Sequence, residues 1–401
     1  MITIHAKVAV VLALIIVGYV YFRNTKGKGP VLLHKTKHFI KFIDRLANLS
    51  KTFWNIFFSI GVVFGFFFMA FIFLSLFSNA AFIASTPGAG EGVMLALPGI
   101  TIPFIGPIIA LIILVFVHEF SHGIMARVEG VKIKSVGVAL LGFLPIGAFV
   151  DPSEKEIQKL KPFKRLKIFA AGPFSNIVLA VLLLIVLSFA FIPAFTTSFE
   201  GVKLTKVESD MPAEDYGLEE GIIINKVNGE KVDDIIQFSS KLNELGLEPG
   251  DSVRLSTDST TYNVKTIEKN GGAYIGIHFC SQLSGGKIAK LFALMGPGIF
   301  LKQSLINPEC YPVKYGSASV FWFIFGVLKW TILLNYAIGL INLLPVKPLD
   351  GGLMVETVVN KFVENKKLAA NIVYAISFFG LLILLVNLIG PSAWQALGSL
   401  G

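Results

Sequence analysis

The chain has 401 residues, enough for two or three soluble domains, yet 54% are hydrophobic and only 15% charged, where an ordinary soluble domain carries about 25% charged. With a mean hydropathy of +0.72 and 36 Phe, that excludes a disordered, collagen-like or disulfide-stapled chain and leaves a polytopic α-helical membrane protein. The net charge of +9 is concentrated in particular loops, so it is explained by membrane topology and no nucleic-acid partner is expected.

Crossing the hydrocarbon core takes about 20 apolar residues, and such runs occur at 6–22, 53–83, 101–126, 168–195, 318–346 and 368–390. About six spans are therefore expected. The first run lacks a basic leader and a small-residue cleavage site, so a retained helix is expected there. The run at 53–83 exceeds one span and must tilt or protrude. Segment 23–52 holds eight Lys/Arg against Asp44 alone, 84–100 holds none, and 127–167 holds nine against four acids. Basic loops stay cytosolic, which places the N-terminus, 84–100, 196–317 and the C-terminus outside and 347–367 inside.

Residues 196–286 read as a soluble domain, acidic within a basic protein, with eight Lys/Arg and fifteen Asp/Glu. Short β-type runs at 202–207, 222–227, 252–255 and 262–267 alternate with turn signals such as Asn228-Gly229 and Pro249-Gly250-Asp251. With a helical stretch at 234–245, this predicts a small half-open β-barrel carrying one helix. Segment 287–317 is broken by Gly296-Pro297-Gly298 and is expected to be interfacial or re-entrant, since a seventh span would reverse the topology. The organisation is then 1–100, two helices and a basic cytosolic loop; 101–195, the first half of a membrane core; 196–286; 287–317; and 318–401, the second half of the core.

His118-Glu119-Phe120-Ser121-His122 lies in the third apolar run. Two histidines at i and i+4 share a helix face and can ligate one Zn²⁺, with the glutamate beside them to deprotonate water. A charge at the bilayer centre costs roughly 2.5–3.5 kcal/mol, and histidines that merely cap a helix at the interface leave the glutamate unexplained. Two histidines leave a catalytic zinc one protein ligand short. The candidate third ligand is Asp350, after Pro345 and Pro348 and before Gly351 and Gly352, at a similar cytosolic depth. A helix N-cap is the alternative role for Asp350, and the two are compatible.

These motifs resemble the site-2 proteases, intramembrane zinc metalloproteases of peptidase family M50. The match is carried by His118-Glu119-x-x-His122, Leu349-Asp350-Gly351 and Ala171-Gly172-Pro173-Phe174-Ser175-Asn176, and Gly147-Ala148-Phe149-Val150-Asp151 looks closest to an archaeal and eukaryotic branch. The resemblance covers roughly 100–390. It implies a zinc metalloendopeptidase with one Zn²⁺ per chain, held by His118, His122 and Asp350, with Glu119 as general base. The implied site is near the cytosolic face of a prokaryotic, archaeal-like cell membrane, and the implied substrates are membrane-spanning proteins.

The resemblance also makes 133–150 a re-entrant β-segment in which Gly142, Phe143, Gly147, Ala148, Phe149 and Val150 offer an edge strand to substrate; a plain amphipathic loop is the alternative. Asn335 and Asn342, two helical turns apart, resemble asparagines that hold the substrate backbone, or else bond between helices. Gly172, Pro173 and Asn176 are expected to be structural residues near the site. Residues 216–229 resemble the strand-turn signature of PDZ domains, implying an external peptide-docking or size-filtering module. Cys280 and Cys310 either pair or stand as two small apolar residues. Two other functions fit parts of the pattern: a catalytically inactive PDZ-bearing scaffold, and a divalent-metal transporter, which needs ligands along a path rather than at one depth.

Overall fold

A computed structural model describes residues 31–37, 39–86, 96–141, 144–191, 201–233, 235–269, 271–281 and 317–398. The expected first span, residues 287–316 of the expected interfacial segment, Gly142, Phe143 and Cys310 lie outside them, and so does any pairing of Cys280. The chain divides into two units, 1–184 with 326–401, and 185–325.

The first unit opens with β1 (Val31–Thr36), α1 (Ile40–Leu49) and α2 (Lys51–Ser85). Ser50 starts α2 by accepting the Phe53 N–H on its hydroxyl at 3.1 Å, the usual N-cap arrangement. α3 (Ile105–Val128) follows, then the hairpin of β2 (Ile133–Leu141) and β3 (Leu144–Pro152), α4 (Glu154–Lys159) and α5 (Pro162–Val186). The sheet order is β1-β2-β3, antiparallel throughout, with Thr36 opposite Val136 and Val136 opposite Val150.

Both basic stretches carry regular structure, and the β-structure expected at 133–150 is present as the β2–β3 hairpin. Segment 23–52 contributes a strand and an amphipathic helix. Segment 127–167 contributes the hairpin, α4 and the first turn of α5. Its lysines are partly internal: Lys167 donates to Glu129 and to Asn55, both at 2.5 Å, and Lys164 bonds the other Glu129 oxygen at 2.7 Å. Burial alone would push the Glu129 carboxyl up, but these two lysines outweigh it and hold it below the ordinary value. The cluster ties the end of α3 to the start of α5 and to α2.

The second unit is β-rich. It holds β4 (Val202–Val207), α6 (Pro212–Asp215), β5 (Ile223–Ile224), β6 (Lys226–Val227), β7 (Glu230–Lys231), α7 (Ile235–Glu244), β8 (Ser252–Ser256), β9 (Thr261–Lys265), β10 (Ile267–Lys269), β11 (Gly272–Tyr274) and β12 (Ile277–Ser281). Sheets β12-β4-β5 and β7-β6-β8-β9 and the β10-β11 hairpin enclose Val202, Leu204, Ile224, Phe238, Leu255 and Val264. Asn228 and Gly229 both have positive φ, 49° and 88°, as a two-residue turn between β6 and β7 requires.

α8 (Ala318–Asn342), α9 (Asp350–Phe362) and α10 (Lys366–Gly398) complete the chain. Among the described residues, five helices are long and apolar enough to cross a membrane: Lys51–Ser85, Ile105–Val128, Pro162–Phe191, Ala318–Asn342 and Lys366–Gly390. They match five of the expected runs. The fourth of these stops at Asn342, four residues short of expectation, because Pro345 cannot extend a helix and residues 343–349 fold into tight turns. Small residues and polar contacts join the helices, as packing within lipid favours. Gly61 of α2 lies against the Phe174 ring, and Asn79 donates to Asn387 of α10 at 2.7 Å. Large apolar side chains such as Ile56, Val63, Phe67 and Leu74 point outward along α2.

Candidate metal centre and active site

His118 and His122 stand one turn apart on α3, and their Nε2 atoms are 3.2 Å from each other. Asp350, the first residue of α9, brings its Oδ2 to 3.2 Å from His118 Nε2 and 3.4 Å from His122 Nε2. The N-cap position itself belongs to Leu349 and carries no side-chain cap, so the Asp350 carboxylate is turned to the histidines.

Three things make this convergence possible. The turns at 343–349 reverse the chain after α8. Gly351 and Gly352 let the start of α9 lie against that turn, since a Cβ at Gly352 would fall 2.6 Å from Lys347 N and one at Gly351 would run into the Leu343 carbonyl. Gly339 lets α8 approach α5, where an added Cβ would meet the Pro173 carbonyl oxygen at 3.2 Å.

Two imidazole nitrogens and one carboxylate oxygen thus lie within 4.8 Å of one another, a donor set suited to a divalent transition metal. Zinc bonds of about 2.0–2.1 Å in a tetrahedron put neighbouring donors about 3.3–3.4 Å apart, and the three separations here are 3.2, 3.2 and 3.4 Å. The space is kept open by Gly172 of α5. A Cβ there would sit 2.8 Å from His118 Nε2 and closer still to His122 Nε2. His122 Nδ1 lies 2.7 Å from the Ile168 carbonyl oxygen. That oxygen can only accept, so Nδ1 carries the proton and Nε2 has its lone pair free for a metal.

Glu119 faces the same cavity, of about 740 Å³, which is lined also by His118, His122, Asp350, Phe149, Val150 and Asn342. One Glu119 oxygen accepts the Val150 N–H at 2.9 Å. Among the described residues β3 pairs only with β2, and Gly147, Ala148, Phe149 and Val150 lie along its length.

The two asparagines part company. Asn342 lines the cavity, whereas Asn335 is fully buried, donates to the Thr331 carbonyl of its own helix at 2.8 Å and is absent from the lining. Asn176 is fully buried with its amide 3.1 Å from His118 Nδ1, and Pro173 lies within α5. Several other lining residues, Arg165, Ile157 and Glu356 among them, were not singled out as site residues from the sequence, because nothing in local periodicity marks a side chain that reaches a cavity.

The model of Peptidase family M50 matches residues 106–387. An uncharacterized protein of Methanocaldococcus jannaschii is 30% identical over 253 residues, 63% of this chain and 57% of that one. A Clostridium perfringens protein, provisionally named a zinc metalloprotease, is 24% identical over 325 residues, covering 68% of this chain and 92% of its own. The zinc metalloprotease RasP of Bacillus licheniformis is 26% identical over 263 residues, 59% of this chain and 61% of its own. The chain thus spans little more than half the length of the archaeal relative. With the family match covering more than half of the chain, and with two histidines and an aspartate converging inside it, this protein belongs to peptidase family M50, the zinc metallopeptidases of the site-2 protease type.

Proposed function

We propose that this chain is an intramembrane zinc metalloprotease that hydrolyses peptide bonds within or near the transmembrane segments of membrane-anchored proteins. The observation that carries the reading is the convergence of His118, His122 and Asp350 from two helices on one point, with Glu119 facing the same cavity. One Zn²⁺ per chain would be held by His118 Nε2, His122 Nε2 and Asp350. When bound, it supplies Lewis-acid polarisation of the scissile carbonyl and makes water acidic enough to lose a proton near neutral pH.

The chain's own residues do the rest. Glu119 takes a proton from the attacking water and returns it to the leaving amine. A helical peptide bond is shielded by its own hydrogen bonds, so substrate reaches the site extended. The outer edge of β3, which pairs with no further strand among the described residues, is assigned with Gly147, Ala148, Phe149 and Val150 to hold it by strand addition, and Gly142 and Phe143 are assigned to the same role from the sequence. Asn342, which lines the cavity, and Asn335 are assigned to the substrate backbone.

The catalytic core comprises 101–195 and 318–401. The basic residues around α1 and α4 support a reading in which the metal end of the bundle is on the cytosolic side, in an archaeal-like cell membrane. The β-rich unit 196–286 is read as a PDZ-like module outside, which filters or docks the substrate ectodomain. The test is cleavage of a model transmembrane substrate by purified protein, with metal content assayed on the same samples. Product from wild type, none from Glu119→Gln and none with a zinc chelator supports the reading, provided Glu119→Gln keeps its zinc. Absence of both zinc and product in wild type overturns it.

A further inference from the structure

His118 and His122 are held differently, and the difference points to a role for Asn176. For both Nε2 atoms to offer lone pairs to one cation, both Nδ1 atoms must carry protons. His122 meets this condition through the Ile168 carbonyl at 2.7 Å. The partner of His118 Nδ1 is the Asn176 amide nitrogen at 3.1 Å. That group is itself a donor, and it faces a ring nitrogen that must also donate. On the same side chain, Asn176 Oδ1 is buried and has no hydrogen-bond partner among the described residues.

A half-turn of the amide resolves both conflicts, because the two ends of an amide have nearly the same shape and are told apart by their hydrogen bonds. Oδ1 then accepts the Nδ1 proton of His118, and Nε2 is left free toward Asp350 and His122. Asn176 follows Gly172 by four residues, one turn along α5, so both face the histidines. Gly172 leaves the room and Asn176 orients the ring.

We propose that Asn176 is a positioning residue that fixes the tautomer and ring plane of His118 through its amide oxygen, and thereby sets the affinity for zinc. This rests on the metal reading above. It goes further in making a side chain outside the ligand set determine metal retention.

The test compares Asn176→Leu, which keeps the size without an acceptor, with Asn176→Asp, which keeps the acceptor. Full-length proteins in detergent are titrated with zinc against a competing chelator, and cobalt-loaded samples are read by the absorption bands of the bound ion. Asn176→Leu is expected to weaken zinc binding about 10- to 100-fold, the effect typical of losing a partner behind a metal-bound histidine. Asn176→Asp is expected to stay within a few-fold of wild type with its cobalt bands intact. Asn176→Leu binding as tightly as wild type, or Asn176→Asp failing as badly as Asn176→Leu, would overturn the inference. His118→Ala separates the two proposals. If it abolishes zinc binding while Asn176→Leu does not, the protease reading stands and this one falls. Wild type that binds no zinc removes both.

Discussion

The Val150 N–H donates to a carboxylate oxygen of Glu119 at 2.9 Å, so the end of β3 and the helix bearing the metal-site histidines are joined at the proposed catalytic base. Val150 stands opposite Val136 in the hairpin, yet its amide is directed to Glu119. The strand assigned to bind substrate is therefore the element that holds the glutamate in place.

Replacing Val150 by Pro removes that amide proton. A hydrogen bond to a charged group contributes about 1.5–3 kcal/mol, so peptide hydrolysis should fall about 10- to 100-fold. Zinc content should be unchanged, because neither histidine nor Asp350 loses a contact. Steady-state cleavage and metal analysis on one preparation check this.

Glu119→Gln removes the proton acceptor and keeps the shape. Turnover should drop by about 10²–10⁴, the usual contribution of general base catalysis, with zinc retained. Loss of zinc along with activity would make Glu119 part of the metal site.

Gly172→Ala places a methyl group within 2.8 Å of His118 Nε2 and nearer to His122 Nε2. The imidazoles cannot both keep their positions, so stoichiometric zinc should be lost while the protein still folds. Metal analysis beside a thermal melt of the metal-free protein distinguishes this from general unfolding. A Gly172→Ala protein holding a full zinc equivalent would contradict the geometry.

Lys167→Ala leaves the Glu129 side chain, 3% exposed, with Lys164 alone. Breaking a buried ion pair by deleting one partner costs about 3–5 kcal/mol, and the remaining lysine places this case at the lower end. Denaturant unfolding in detergent should register the loss, and Lys167→Ala with Glu129→Gln together should recover part of it.

In the β-rich unit, Glu208 accepts hydrogen bonds from Lys269 at 2.7 Å, His278 at 2.9 Å and Tyr274 at 3.0 Å. These bonds, Lys269 first, lower its pKa from 4.5 to about 2. A carboxylate depressed in the folded state stabilises fully above its unfolded pKa and loses that contribution as pH falls toward the folded one. Hydrogen exchange of β10 to β12 in the full chain, corrected for intrinsic rates, should show protection declining between pH 4.5 and 2. Glu208→Gln should flatten that decline.

Asn342→Ala should lower kcat/KM about five-fold, the effect of losing one hydrogen bond of about 1 kcal/mol, because Asn342 lines the cavity. Asn335→Ala tests whether a fully buried residue bonded to its own helix reaches substrate at all, and its effect should be the smaller of the two.

What the sequence alone determined is what depends on near neighbours. Runs of apolar residues marked the five long helices found among the described residues, and β-branched runs between Gly and Asn turns marked strands such as Val202–Val207. The i, i+4 spacing put His118 and His122 on one face. Each follows from backbone geometry over a few residues. The tertiary structure decided the rest, because it depends on which distant segments pack together. β1 pairs with β2 although 23–52 reads as a basic loop, and Lys167 turns inward because Glu129 and Asn55 are there to receive it. Asp350 meets the histidines only because Gly339, Gly351 and Gly352 permit close backbone approach. Glu119 is held by Val150, and Asn176 stands behind His118, through contacts made across the packed helices, where no local period records them.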